Sequence, residues 1–96
     1  MKRAEVLAQL AASKPTLAAR YGVVRLALFG STARDAARDD SDVDVLVAFD
    51  GPATSERYFG VQFFLEDLLG RPVDLVTDKA LRPELRLFVE REAVHV

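Results

Sequence analysis

The sequence predicts a small α/β (α+β) domain, a three- to four-stranded sheet packed with about four helices. Short β-branched, apolar runs stand at Val23–Phe29, Asp42–Phe49 and Val73–Thr77, the lengths and compositions of strands. Between them lie stretches whose apolar residues recur at three- and four-residue spacing, the period of helices. The 96 residues suffice for one hydrophobic core and no more, so residues 1–96 are read as a single domain.

Taken in order, residues 3–21 read as a helix on the spacing of Val6, Leu7, Leu10, Ala11, Leu17, Ala18 and Tyr21. Pro15 removes an intrahelical donor, so a kink or restart is expected there, with Ser13 as a cap. Gly22 stands where a helix-ending residue belongs. After the first strand, Gly30-Ser31 breaks the run, and Thr32 to Arg38 suits a short helix. Asp39-Asp40-Ser41 makes a polar turn before the second strand, and Asp50-Gly51-Pro52 closes that strand. Ser55 caps a helix running to about Leu69, with Gly70 just past its end. That helix is apolar nearly all round, so it is either sandwiched in the core or turned toward another chain. For Tyr58, Phe59, Phe63 and Phe64, core packing is the favoured reading over stacking on a base. Arg71-Pro72 turns into the third strand. Asp78 or Lys79 leads into a last helix with Leu81, Leu85, Phe88 and Val89 on one side, and Val94-His95-Val96 is an extended tail. Strand polarity is not readable from this pattern.

Thirteen basic against fifteen acidic residues give a net charge of −2, with no basic run interleaved with aromatics. That balance disfavours nucleic acid as a partner but leaves a single nucleotide open. The absence of cysteine excludes disulfides, thiolate metal sites and a cysteine nucleophile. No apolar run reaches the roughly 18 residues of a membrane span, and Glu5 and Gln9 interrupt any signal-like stretch, so the expected location is cytoplasmic.

Two stretches carry chemistry: Leu28-Phe29-Gly30-Ser31-Thr32-Ala33-Arg34 and Ser41-Asp42-Val43-Asp44-Val45-Leu46-Val47. Gly30 permits a tight turn and close approach of a ligand to the backbone. The amides after it open a helix, where unpaired N–H groups and the dipole favour phosphate; Ser31 adds a hydroxyl and Arg34 a cation one turn on. By itself, Gly-Ser at a strand-to-helix turn is common. Asp42 and Asp44 are two apart in a strand and face the same way, while Val43, Val45 and Val47 alternate toward the core. Two such carboxylates raise each other's pKa unless a cation intervenes, and oxygen donors of this kind suit Mg²⁺. Asp74 is a third candidate, a charge inside a short apolar strand. If its strand neighbours the second, three carboxylates converge and can hold two metals roughly 3.5–4 Å apart. Arg25 and Arg38 are candidates to assist phosphate binding; Glu56, Arg57, Glu66 and Asp67 read as a solvated helix face, and the lone His95 as structural or exposed.

The combined pattern, Gly-Ser, ten residues, Asp-x-Asp and a later Val-Asp-Leu-Val, resembles the minimal nucleotidyltransferase (MNT) branch of the polymerase-beta-type nucleotidyltransferase superfamily. The resemblance covers essentially the whole chain and implies that superfamily's fold. It departs at Asp35, where the family usually has glycine after the arginine. It implies that Gly30, Ser31 and Arg34 bind the nucleotide, that Asp42, Asp44 and Asp74 are catalytic and bind two Mg²⁺ ions, and that ATP is the substrate. Proteins of this branch often serve as antitoxins. The implied reaction is therefore AMP transfer onto a tyrosine of a HEPN-type ribonuclease toxin, with a hetero-oligomer or homodimer through the 55–69 helix. The competing expectation is a catalytically silent antitoxin that neutralises its partner by binding alone. A small-molecule acceptor is disfavoured because the antibiotic-modifying relatives carry acceptor-binding segments that this chain lacks.

Overall fold

The structure, a computed structural model, describes residues 2–38 and 40–96, so the part of the predicted polar turn at Asp39 lies outside the described residues. Helix α1 (Arg3–Tyr21) is continuous through Pro15, and Gly22 ends it in the left-handed conformation, φ 73°. No restart occurs, and Ser13 is not a cap. Its hydroxyl is buried and donates to the Leu10 carbonyl at 2.9 Å, within a helix that packs too well against the sheet to break.

Strand β1 (Val23–Phe29) is followed by α2 (Gly30–Ala33), a single turn instead of a helix to Arg38. The reason is Asp35, whose φ of 57° is left-handed and cannot continue a helix. Its carboxylate accepts from the Arg3 amide at 3.1 Å, tying this turn to the start of α1. Strand β2 (Val43–Phe49) leads to α3 (Ser55–Leu69), capped one residue earlier than predicted. Thr54, not Ser55, accepts from the Arg57 amide, at 3.2 Å, because its hydroxyl stands three residues ahead of that orphan donor. Strand β3 (Val73–Thr77) passes into a single 3-10 turn, Asp78–Ala80, and α4 (Pro83–Glu92) starts later than Asp78 or Lys79, with proline in its first turn. The tail forms β4 (Val94–His95).

The sheet order is β3-β2-β1-β4. β1 is antiparallel to β2 and β4, whereas β2 and β3 run parallel, joined by α3 as the crossover such a pair requires. The sheet has two unequal faces. On one, Val6, Leu10 and Leu17 of α1 and Val61, Leu65 and Leu69 of α3 close over Leu26, Leu28, Val43, Val45, Val47, Val73 and Leu75. On the other, Ala27 and Leu46 meet Val89 of α4, with Phe29, Val76, Leu81 and Ala93 around them.

Two expectations about apolar faces change. Phe59 and Phe63 stack on each other at 6.1 Å but are 49% and 60% exposed, so α3 is not sandwiched. Tyr58 and Phe64 pack against the core, and the Tyr58 hydroxyl donates to the Leu75 carbonyl at 2.6 Å. On α4, Val89 is buried but Leu85 and Phe88 are not, because the second sheet face offers little apolar surface to cover them. Nor is the polar face of α3 simply solvated. Glu66 accepts from the Val73 amide at 3.0 Å, and Arg57 pairs with Asp50 at 2.9 Å. Among the described residues no helix is long and apolar enough to cross a membrane.

Candidate active site

The site lies on the thin face of the sheet, the one covered by α4, where β1 ends. Pairing sets Phe29 opposite Asp44 across the antiparallel ladder, and Asp44 opposite Asp74 across the parallel one. Asp44 is therefore on an inner strand, half-buried, with a carboxylate neighbour imposed by register. Its alternation partners Val43, Val45 and Val47 are buried on the opposite face, as the period-two pattern requires.

Gly30 is the turn between β1 and α2, at φ 73°. A Cβ placed there would lie 2.0 Å from the Asp44 Oδ2, so the carboxylate occupies the room that any side chain at residue 30 would need. Gly30 and Asp44 are thus parts of one feature. Ser31 follows, half-buried, and its carbonyl accepts from the Ala36 amide at 2.8 Å, which closes the loop. Because α2 is one turn long, a summed helix dipole is not available to hold an anion. Any phosphate must rely on individual amides, the hydroxyl and Arg34. The Arg34 guanidinium is 53% exposed, and its Nη1 lies 2.5 Å from Glu92 Oε1 at the end of α4.

The electrostatics follow from this geometry. The Asp44 carboxyl is pushed up to about 6, first by burial, then by the charge of Asp74, by a hydrogen bond shared with Asp74 and by Asp42; Arg34 pulls the other way. Asp42 is exposed and precedes β2 by one residue, so the strand does not hold it as firmly as Asp44. The structure brings Asp44 and Asp74 together and leaves Asp42 at their edge. Among the described residues, no three His, Cys, Asp or Glu side chains are gathered closely enough to hold a metal ion as they stand.

Arg25 does not join the site. It precedes Phe29 by four residues, roughly 13 Å along the strand, and its Nη2 is 2.5 Å from Glu90 Oε2, with His95 Nε2 at 3.4 Å. Arg38 is exposed, and its backbone amide donates to the Ser41 hydroxyl at 2.9 Å. The sequence reading overlooked Glu92, an acidic residue in a mixed-charge helix with no local signal to set it apart. Only the tertiary contact with Arg34 marks it.

The donor set fits a hard divalent cation. Two carboxylates are set side by side on neighbouring strands, and the Arg34 charge, itself shared with Glu92, only partly offsets the effects that raise the Asp44 pKa.

The Gly30 turn lies against Asp44, with Asp74 beside it on a mixed sheet, and the chain belongs to the nucleotidyltransferase domain family, matching it over residues 12–96. Its fold is the polymerase-beta-like one of the minimal nucleotidyltransferases. One solved structure, provisionally assigned as a minimal nucleotidyltransferase, is 44% identical with a TM-score of 0.84, over 98% of this chain and 95% of that one. The protein adenylyltransferase MntA of Thermococcus cleftensis is 39% identical over 92 residues, which are 96% of this chain and 93% of that protein. A toxin–antitoxin crystal structure with AMP-PNP shares the fold at 19% identity, with a TM-score of 0.70 over 99% of this chain and 72% of that one.

Proposed function

We propose that this chain is an antitoxin that transfers AMP from ATP to a protein hydroxyl, a tyrosine of a HEPN-type toxin, in the cytoplasm and with magnesium. The observation that carries the reading is the register-imposed pairing of Asp44 with Asp74 against the Gly30 turn. The relatives add the acceptor class. MntA of Thermococcus cleftensis is a protein adenylyltransferase, and a structure of the same fold holds a tri-AMPylated Shewanella oneidensis HEPN toxin with its MNT antitoxin.

In this reading, Gly30 and Ser31 seat the triphosphate and Arg34 pairs with it. Asp44 and Asp74, with Asp42 swung in from its exposed position, would hold two Mg²⁺ ions, whose charge would offset that of the triphosphate and of the departing pyrophosphate. Asp74 takes the proton of the attacking hydroxyl. The hydroxyl oxygen bonds to the α-phosphorus, and the bond to the β-phosphate oxygen breaks, its electron pair leaving with pyrophosphate. Positioning and charge do the work, with no covalent intermediate on the protein. The exposed Phe59, Phe63 and Leu68 of α3 give the toxin, or a second copy of this chain, an apolar face to meet.

The test mixes the purified chain with the HEPN-type protein encoded beside it, Mg²⁺ and α-labelled ATP. Label on a partner tyrosine, lost with Asp44→Asn, is the expected result. A tight complex without label, unaffected by Asp42→Asn plus Asp44→Asn, would replace catalysis with neutralisation by binding alone.

A further inference from the structure

We propose that Glu92 is a positioning residue for the nucleotide, holding the Arg34 guanidinium over the Gly30-Ser31 turn from the last turn of α4; this rests on the nucleotidyl-transfer reading above. Arg34 sits just past a one-turn helix, where little else restrains a long side chain, and it is 53% exposed. Glu92 is only 19% exposed, so of the two partners it is the anchored one. The contact recorded is from Nη1, and a guanidinium carries five N–H donors, so the pair leaves donors for a phosphate. Asp44 feels the Arg34 charge, which places that guanidinium within electrostatic range of the carboxylates. A planar fork oriented beforehand loses less entropy when it grips an anion.

A staple between α2 and α4 is the plain alternative, and the molecule holds its own control. Arg25–Glu90 is an equally short pair that ties the same helix to β1, away from the carboxylates. Partly exposed pairs of this kind contribute little stability each. If Glu92 only fastens α4, losing it should resemble losing Glu90.

The experiment measures Mg·ATP binding to the full chain by calorimetry, with melting temperature alongside. Glu92→Gln is expected to weaken binding about tenfold, the effect of one charge-assisted hydrogen bond losing its geometry, while Glu90→Gln stays within about twofold. In an Arg34→Ala background, Glu92→Gln should have no further effect on binding, since it acts through that guanidinium. Equal weakening by Glu90→Gln and Glu92→Gln, or wild-type affinity in Glu92→Gln, would overturn the role of Glu92 while the site stands. If the wild-type chain binds no Mg·ATP at all, the nucleotidyl-transfer reading falls, and the role of Glu92 falls with it.

Discussion

The two faces of the sheet are built to different standards. Among the described residues, fifteen buried apolar side chains form one continuous cluster on the side of α1 and α3; under α4, the buried cluster is Ala27, Leu46 and Val89. Strand β2 divides its residues between them, sending Val43, Val45 and Val47 to the thick face and Asp44 and Leu46 to the thin one. The pleat thus separates stability from chemistry one residue at a time. The half-buried Asp44 and the exposed Asp74 are tolerable on the thin face because few apolar side chains pack there.

The largest effect that would break this division is on activity. Asp44→Asn should lower AMP transfer about a thousandfold, measured with labelled ATP, while the chain stays folded by circular dichroism. Next, Leu65→Ala on the thick face should cost about 3 kcal/mol in denaturant unfolding, whereas Val89→Ala on the thin face should cost about 1 kcal/mol. Equal losses would mean that α4 belongs to the core after all. Gly30→Ala, forced into the left-handed region and against Asp44 Oδ2, should destabilise by about 2 kcal/mol and cut activity about tenfold or more.

The smallest effect concerns pH. The folded chain holds the Asp44 proton more tightly than the unfolded one, with the carboxyl at about 6 against an ordinary 3.8. Stability should therefore fall as pH rises between those values and stay reduced above about 6. In metal-free buffer Asp44→Asn should melt about 5 °C above the wild type at pH 7, solvent screening allowed for, and nearly level with it at pH 4. A wild type that is the more stable of the two at pH 7 would show that the carboxylate is not under strain.

Much of this was legible beforehand because periodicity reports burial. The strands at Val23 and Val73, the second strand to within one residue of its start at Val43, the helix ends at Gly22 and Gly70, and the alternation that aims Asp44 away from Val43 and Val45 all follow from local pattern. What escaped depends on contacts distant in sequence. Pro15 is carried by a helix locked to the sheet, Asp35 takes a left-handed turn that a glycine would take more easily, and the α4 apolar side finds too little surface opposite it. Within the site, the neighbouring of Asp44 and Asp74 was conditional on strand order, and the tie between Arg34 and Glu92, 58 residues apart, left no trace in spacing.

The parallel pairing of β2 with β3 also fixes when the site can exist during synthesis. Asp42 and Asp44 leave the ribosome with their strand, but Asp74 joins them only after the whole of α3 has been made and has folded back across the sheet. A chain released before β3 carries the Gly-Ser turn and the Asp-x-Asp pair but lacks Asp74 along with Val73 and Leu75, so the carboxylate pair and the last part of the thick core are completed by the same strand.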